Sequence, residues 1–213
     1  MVMLRLEEPR ALEQAITALQ HGGIVAYPTD TVYGIGASIH YPGTLSRIYE
    51  IKGRKADASL PILLASSGDL AKASTGVDPL LLSLASRFWP GSLTVAVPAK
   101  PSLPPQVIAA DGTVGVRVPA HSVALTLAQR VGGVLATTSA NISGQPPATK
   151  ADEIGTTLRN RLDVILDGGI SRNGRASTVI RLEGDTIHII REGAISAETI
   201  QSAWRLVQAS ARK

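Results

Sequence analysis

A chain of 213 residues, 44% of them hydrophobic, is long enough to bury a substantial core and too apolar to be disordered. It has no cysteine, which excludes disulfides, thiolate catalysis and Cys-ligated zinc, and its 3% aromatic content counts against RNA recognition by base stacking. The net charge of +4, from 21 Lys+Arg against 17 Asp+Glu, favours anionic partners but contains no basic run of the kind found in nucleic-acid tails.

The opening residues, Met1 to Glu8, turn acidic quickly and do not read as a signal peptide. Nowhere do the ~18 consecutive apolar residues of a membrane span occur, so a soluble, cytoplasmic protein with no membrane partner is expected. Leu12, Ala15, Ile16 and Leu19 recur at helical spacing within Pro9–Gln20, and Gly22-Gly23 stops that helix. A buried strand Ile24–Tyr27 ends at Pro28. A helix over Pro42–Ile51 precedes Gly53, a strand is predicted at Leu60–Ala65, and a helix over Asp78–Trp89 stops at Pro90-Gly91.

Strands follow at Leu93–Val97 and Thr113–Val118, joined by a proline-rich loop, then a helix over Ser122–Val131 and a strand at Val134–Thr138. The last strands are expected at Asp163–Leu166, Thr178–Leu182 and Thr186–Ile190, before an amphipathic helix over Ala197–Gln208. Alternating strands and helices with short connections give an α/β class, and three closing strands with little between them argue for a mixed rather than a purely parallel sheet. One domain over 1–213 is expected, with a core of about 9–195 and a C-terminal helix of about 196–209.

Several familiar chemistries are missing. There is no G-x-x-x-x-G-K-[ST], Gly34-Ile35-Gly36 does not complete a dinucleotide fingerprint, and the four histidines lack metal spacing. What stands out instead is Ile51-Lys52-Gly53-Arg54, two cations about a glycine, with a distant counterpart in Thr138–Gly144, which is rich in small hydroxyls and contains Asn141. Polyphosphate handling uses both kinds of group, and a core uses neither. A charged helix end explains Lys52 and Gly53 equally well, but not the charge that continues through Arg54-Lys55.

Pro28–Gly34 places two threonines about Asp30 directly after a strand, where α/β proteins usually hold ligands. In Thr113–Val118, period-2 alternation sends Val114, Val116 and Val118 to the core. Thr113 and Arg117 then share the other face, about 13 Å apart at ~3.3 Å per residue, with bare Gly115 between them. Such a face suits a ligand lying along the strand, with Arg117 gripping a carboxylate or phosphate. Thr137–Gly144 contains almost nothing large, so backbone amides there could approach phosphate oxygens.

Taken together, PTDTVYGIG (Pro28–Gly36), IYEIKGR (Ile48–Arg54), FWPGSLT (Phe88–Thr94), VGVRVP (Val114–Pro119), SANISG (Ser139–Gly144), STVI (Ser177–Ile180) and REGAI (Arg191–Ile195) resemble the YrdC/TsaC family, the threonylcarbamoyl-AMP synthases, from about Gly22 to Gly193. The resemblance implies a twisted, mixed β-sheet flanked by helices around a basic concave cavity. It also implies a nucleotidyltransferase that joins L-threonine, bicarbonate or CO₂, and ATP into L-threonylcarbamoyl-AMP and pyrophosphate, for the threonylcarbamoyladenosine modification of tRNA. By motif, Thr31, Arg117, Thr137 and Ser177 would surround threonine. Arg54, Thr113, Ser139, Asn141, Pro147 and Arg191 would hold ATP, with Lys52 on the phosphates or the developing carbamate, so that Lys52 and Arg54 are the catalytic candidates.

Mg²⁺ is expected to enter on the ATP phosphates, with no protein metal site, and a tRNA or a tRNA-modifying transferase complex would accept the product. The chain departs from the family where Lys55 and Ser59 replace frequent prolines, and Ala58 removes one expected ATP contact. It resembles the short members, without the longer ones' linker and extra domain. Two other readings share the basic cavity: a non-catalytic RNA-binding or ribosome-assembly factor, and a stand-alone relative of the carbamoyl-transfer domain of hydrogenase maturation proteins.

Overall fold

The computed structural model describes residues 1–55 and 58–211. Its strands are β1 (Val2–Arg5), β2 (Val25–Tyr27), β3 (Gly34–Ser38), β4 (Ile62–Leu64), β5 (Leu93–Pro98), β6 (Thr113–Arg117), β7 (Val134–Ser139), β8 (Val164–Asp167), β9 (Thr178–Glu183) and β10 (Thr186–Arg191). The α-helices are α1 (Ala11–Gln20), α2 (Pro42–Lys52), α3 (Leu70–Ala73), α4 (Pro79–Ser86), α5 (Ser122–Arg130), α6 (Thr156–Arg159) and α7 (Ala197–Ala211).

Among the described residues the strands form one sheet in the order β1-β8-β2-β3-β7-β4-β6-β5-β9-β10. The pairs β1–β8, β2–β8, β4–β6 and β5–β9 are parallel and the others antiparallel, so the mixed sheet expected from the sequence is present. The three closing strands, however, do not stay together. β9 and β10 make an antiparallel hairpin at one edge, while β8 inserts between β1 and β2 near the other. Closeness in sequence is therefore no guide to β8, whose Val164-Ile165-Leu166 run is buried by pairing on both sides.

Local chemistry sets the helix ends. Asp78 caps α4 by accepting from the amides of Leu80 and Leu81, with Pro79 in the first turn where its missing N–H is harmless. Pro42 opens α2 in the same way, and Gly53, at φ 58°, closes it in the left-handed region that favours glycine. That reversal turns Arg54 off the helix axis, so Lys52 and Arg54 leave α2 in different directions.

The two faces of the sheet are covered unequally. Ile24, Ile35, Ile62, Val95, Val116 and Ile180 pack on one face in a layer that α7 joins through Ile200, Trp204 and Val207. On the other face, α1 and α5 cover Val25, Tyr27, Leu63, Leu135 and Leu166. The small and polar residues of β6, β5, β9 and β10 on that second face (Gly115, Ala96, Arg181 and His188 among them) lie under no helix and line open space instead. The site occupies this uncovered half. None of the described helices is long and apolar enough to cross a membrane.

Candidate active site

Three adjoining cavities meet at Arg54, which lines all of them. The innermost, of about 130 Å³, is walled by Thr31, Arg117, Thr137 and Ser177 together with Arg54, Ser139 and Arg191. This volume is well below the roughly 300–1,000 Å³ typical of pockets for drug-sized ligands, and suits a molecule of amino-acid size. A second cavity of about 640 Å³ opens over β6, β5, β9 and β10 and includes Thr113. A third, of about 350 Å³, lies between the end of α2 and the loop after β7, with Lys52, Ser139 and Asn141 in its wall. Of the residues predicted for the site, only Pro147 lines none of the three; it stands half-buried further along that loop.

The inner cavity is built from hydroxyls whose protons have defined directions. Thr29 Oγ1 donates to the Val32 carbonyl at 2.6 Å and accepts from the amides of Thr31 and Val32, closing the turn after β2. With that proton committed, Thr31 Oγ1 is the donor in its 2.9 Å bond to Thr29 and accepts from Arg117 Nη1 at 2.9 Å. Thr137 donates to the Ile35 carbonyl and so accepts from Tyr27 at 2.7 Å. Burial raises the Tyr27 phenol far above its ordinary range, which keeps it a neutral donor.

Arg117 does not enter this site as an unpaired cation. Its Nη2 donates to Asp30 Oδ1 at 2.6 Å and its Nε to the Gly91 carbonyl at 2.7 Å, and the two ionised side chains are only 6% and 9% exposed. Asp30 also accepts from Ser92 Oγ and from the Ala120 amide. The guanidinium therefore reaches a ligand as a fixed hydrogen-bond donor whose charge is largely balanced. Asp30 is the residue that the sequence reading noticed without assigning; an aspartate among turn formers gives no sign that its partner lies 87 positions away.

Lys52 departs furthest from expectation. It is 1% exposed, and its Nζ donates to the carbonyls of Ser139, at 2.6 Å, and Asn141 and more weakly to Asn141 Oδ1. The Ser143 amide in turn donates to the Lys52 carbonyl. Lys52 thus clamps the loop after β7 from within, and in this state its three N–H groups face protein oxygens rather than open space. Burial, with added repulsion from Arg54, lowers its pKa to about 7. Arg54 is steadied by the carbonyls of Ala58 and Ser59.

At the rim, Arg191 Nη2 donates to the Ser177 carbonyl at 2.8 Å, and Ser177 Oγ shares a 2.8 Å bond with Thr94. Desolvation at the cavity wall, followed by repulsion from Arg54 and Arg117, pulls the Arg191 guanidinium below the usual arginine range. Cations that repel one another around a cavity invite an anion. Gly193 makes this closure possible, because a Cβ there would overlap the Ala176 carbonyl oxygen and the Ser177 peptide. Gly193→Ala is therefore expected to displace Ser177 and Arg191 together and to weaken ligand binding at the inner cavity at least about tenfold, as measured by calorimetry.

A family model described as "Telomere recombination", Sua5/YciO/YrdC, matches residues 17–193. The chain belongs to the Sua5/YciO/YrdC family. Within it, the chain is 38% identical over 192 residues to a threonylcarbamoyl-AMP synthase of Bacillus subtilis, covering 90% of this chain and 56% of that one. It is also 38% identical over 197 residues to a threonylcarbamoyl-AMP synthase of Pyrococcus abyssi, covering 92% and 58%. A solved structure of P. abyssi Sua5 complexed with L-threonine is similar at TM-score 0.86 and 35% identity, over 95% of this chain and 60% of that one. The chain thus spans little more than half the length of these relatives.

Proposed function

We propose that the chain is a threonylcarbamoyl-AMP synthase, a nucleotidyltransferase that converts L-threonine, bicarbonate and ATP to L-threonylcarbamoyl-AMP, pyrophosphate and water. The observation that carries this reading is the junction at Arg54, where a hydroxyl-lined cavity of amino-acid size opens into two larger, cation-bearing ones. The names of the relatives, and the threonine complex of one neighbour, support the same assignment.

In this reading Thr31, Thr137, Ser177 and Arg117 hold threonine in the inner cavity with its amine toward the junction. The amine takes up CO₂ as a carbamate and gives up a proton. A carbamate oxygen then attacks the α-phosphorus and pyrophosphate departs. Arg54 and Arg191, at the mouth of the inner cavity, offset the charge that builds up there, and Lys52 keeps Ser139 and Asn141 in place for the phosphates. Thr113 faces the nucleotide from the larger outer cavity. The protein's part is positioning and charge compensation, so no histidine or carboxylate pair is required.

Mg²⁺ would enter as part of the nucleotide. The donors around the junction are cations, hydroxyls and carbonyls, and no group of three or more His, Asp or Glu side chains able to hold a metal occurs among the described residues. Triphosphate oxygens are then its ligands. The product would pass to a tRNA or a tRNA-modifying transferase complex. The test is pyrophosphate release from ATP by the purified chain, with threonine and bicarbonate omitted in turn. Release that needs both supports the assignment, and release that persists without either one overturns it.

A further inference from the structure

Two stretches outside the strands and helices meet beside the inner cavity: residues 29–32, between β2 and β3, and residues 168–176, between β8 and β9. The Asn173 amide donates to the Asp30 carbonyl at 3.2 Å and the Gly174 amide to the Thr31 carbonyl at 2.9 Å. A third link runs through Ser92, whose hydroxyl accepts from Asn173 Nδ2 at 3.0 Å. Ser92 is buried, its carbonyl accepts from the Thr178 amide at the start of β9, and it follows the Gly91 carbonyl that holds Arg117 Nε.

Chemistry settles the direction of each bond. An ionised Asp30 can only accept, so Ser92 Oγ donates its one proton to Asp30 Oδ2, at 2.9 Å. The Ser92 oxygen is then left to accept, and the side-chain amide of Asn173 is the donor that fills it. From the exposed loop inward the donors run from Asn173 to Ser92 to Asp30. There Oδ1 receives Arg117 Nη2, whose sister Nη1 continues to Thr31. The terminal torsion of an aspartate is broad, so an untethered carboxylate would turn and present Arg117 with either oxygen. Ser92 on Oδ2 and the Ala120 amide on Oδ1 stop that rotation.

We propose that Ser92 and Asn173 are positioning residues for threonine. Neither lines the inner cavity; they act through Asp30, which they hold at the one angle that aims Arg117. The inference rests on the synthase reading, in which Arg117 holds threonine.

The test compares the KM for threonine with that for ATP. Ser92→Ala, which strips Oδ2 of its donor, should raise the threonine KM about tenfold and leave the ATP KM within about twofold. Ser92→Thr, which keeps the hydroxyl, should stay near the parent. Asn173→Ala removes only the outer bond and should raise the threonine KM about threefold. Asn173→Asp should be worse than Asn173→Ala, because it offers the single Ser92 proton a second acceptor in competition with Asp30. Ile170→Ala, at an exposed side chain of the same loop, should change neither constant. A threonine KM unmoved by Ser92→Ala, constants for both substrates that shift in parallel, or Asn173→Asp no worse than Asn173→Ala would overturn the proposal. Should Ser92→Ala not fold, the order of the two Asn173 variants decides. If the unaltered chain releases no pyrophosphate, it is the synthase reading that fails. The network is then judged by NMR hydrogen exchange of the Arg117 Nε–H that donates to Gly91. Exchange should be several-fold faster in Ser92→Ala and Asn173→Asp if the network fixes the guanidinium, and unchanged if it does not.

Discussion

Replacing Lys52 with methionine is expected to cut pyrophosphate formation about a hundredfold, with the KM for ATP raised and that for threonine within a few-fold of normal. Lys52 touches the loop carrying Ser139, Asn141 and Ser143 at four points: three through its ammonium and one through its own carbonyl. Methionine fills the space but leaves the buried Asn141 carbonyl unpaired, at about 1–3 kcal/mol, whereas the Ser139 carbonyl keeps the Asn141 amide and Asn141 Oδ1 keeps the Ser139 hydroxyl. A hundredfold loss corresponds to about 2.7 kcal/mol, within that range. The loop, which lines the third cavity but only the edge of the first, would then loosen on the side proposed for the nucleotide. Steady-state kinetics in both substrates decide the matter, and an unchanged KM for ATP would refute the clamp.

If the chain is the proposed synthase, the same lysine should make its nucleotide binding depend on pH. With its pKa lowered to about 7 by burial and by Arg54, Lys52 gives up its proton far more readily than an ordinary lysine, so above pH 7 in the empty cavity the clamp loses part of its charge. A triphosphate nearby favours the charged form and raises that pKa, so binding at pH 8 should take up a sizeable fraction of a proton, and binding at pH 6, where the ammonium is already charged, almost none. Calorimetry in two buffers of different ionisation enthalpy measures the uptake, which Lys52→Met should abolish.

Asp30→Ala should lower the melting temperature by roughly 10 °C and remove measurable threonine binding. Losing one partner of a buried ion pair costs about 3–5 kcal/mol, since the other charge is left unpaired, and each kcal/mol is worth about 2–4 °C in a chain of this size. Arg117 would then be held only by the Gly91 carbonyl and Thr31, and Ser92 and the Ala120 amide would lose their acceptor as well. Asp30→Asn, which keeps an acceptor but not the charge, should be milder on both counts. A variant Asp30→Ala that melts within 2 °C of the parent and still binds threonine would show that the pair is not what positions Arg117.

The ordered motifs did most to reveal the site in advance. Each sits where strand meets loop, so the residues they name converge wherever the strand ends converge, and Thr31, Arg117, Thr137 and Ser177 do share one cavity. β3 was less legible: the sequence reading assigns no element to Gly34–Ser38, which becomes a strand because β2 and β7 pair with it on both sides. β1, four residues long, has no periodicity of its own and exists through pairing with β8. Pro147 lies outside the three cavities for a related reason, because distance along a loop does not determine which way the loop folds.

What the sequence determined alone is the inventory: the alternating elements, the valine face of β6, the glycine that ends α2, and the cations and hydroxyls that line the three cavities. These follow from local sterics and periodicity, which act over a few residues. Only the tertiary structure decided what each cation does. Lys52 and Arg54 look equivalent on either side of Gly53, yet a left-handed turn sends one into the protein to clamp a loop and the other to the junction of three cavities. Arg117 looks like a free grip for an anion until Asp30, far away in the chain, balances it. Charge is written in the sequence, but how much of it remains for a ligand depends on partners brought in by the sheet.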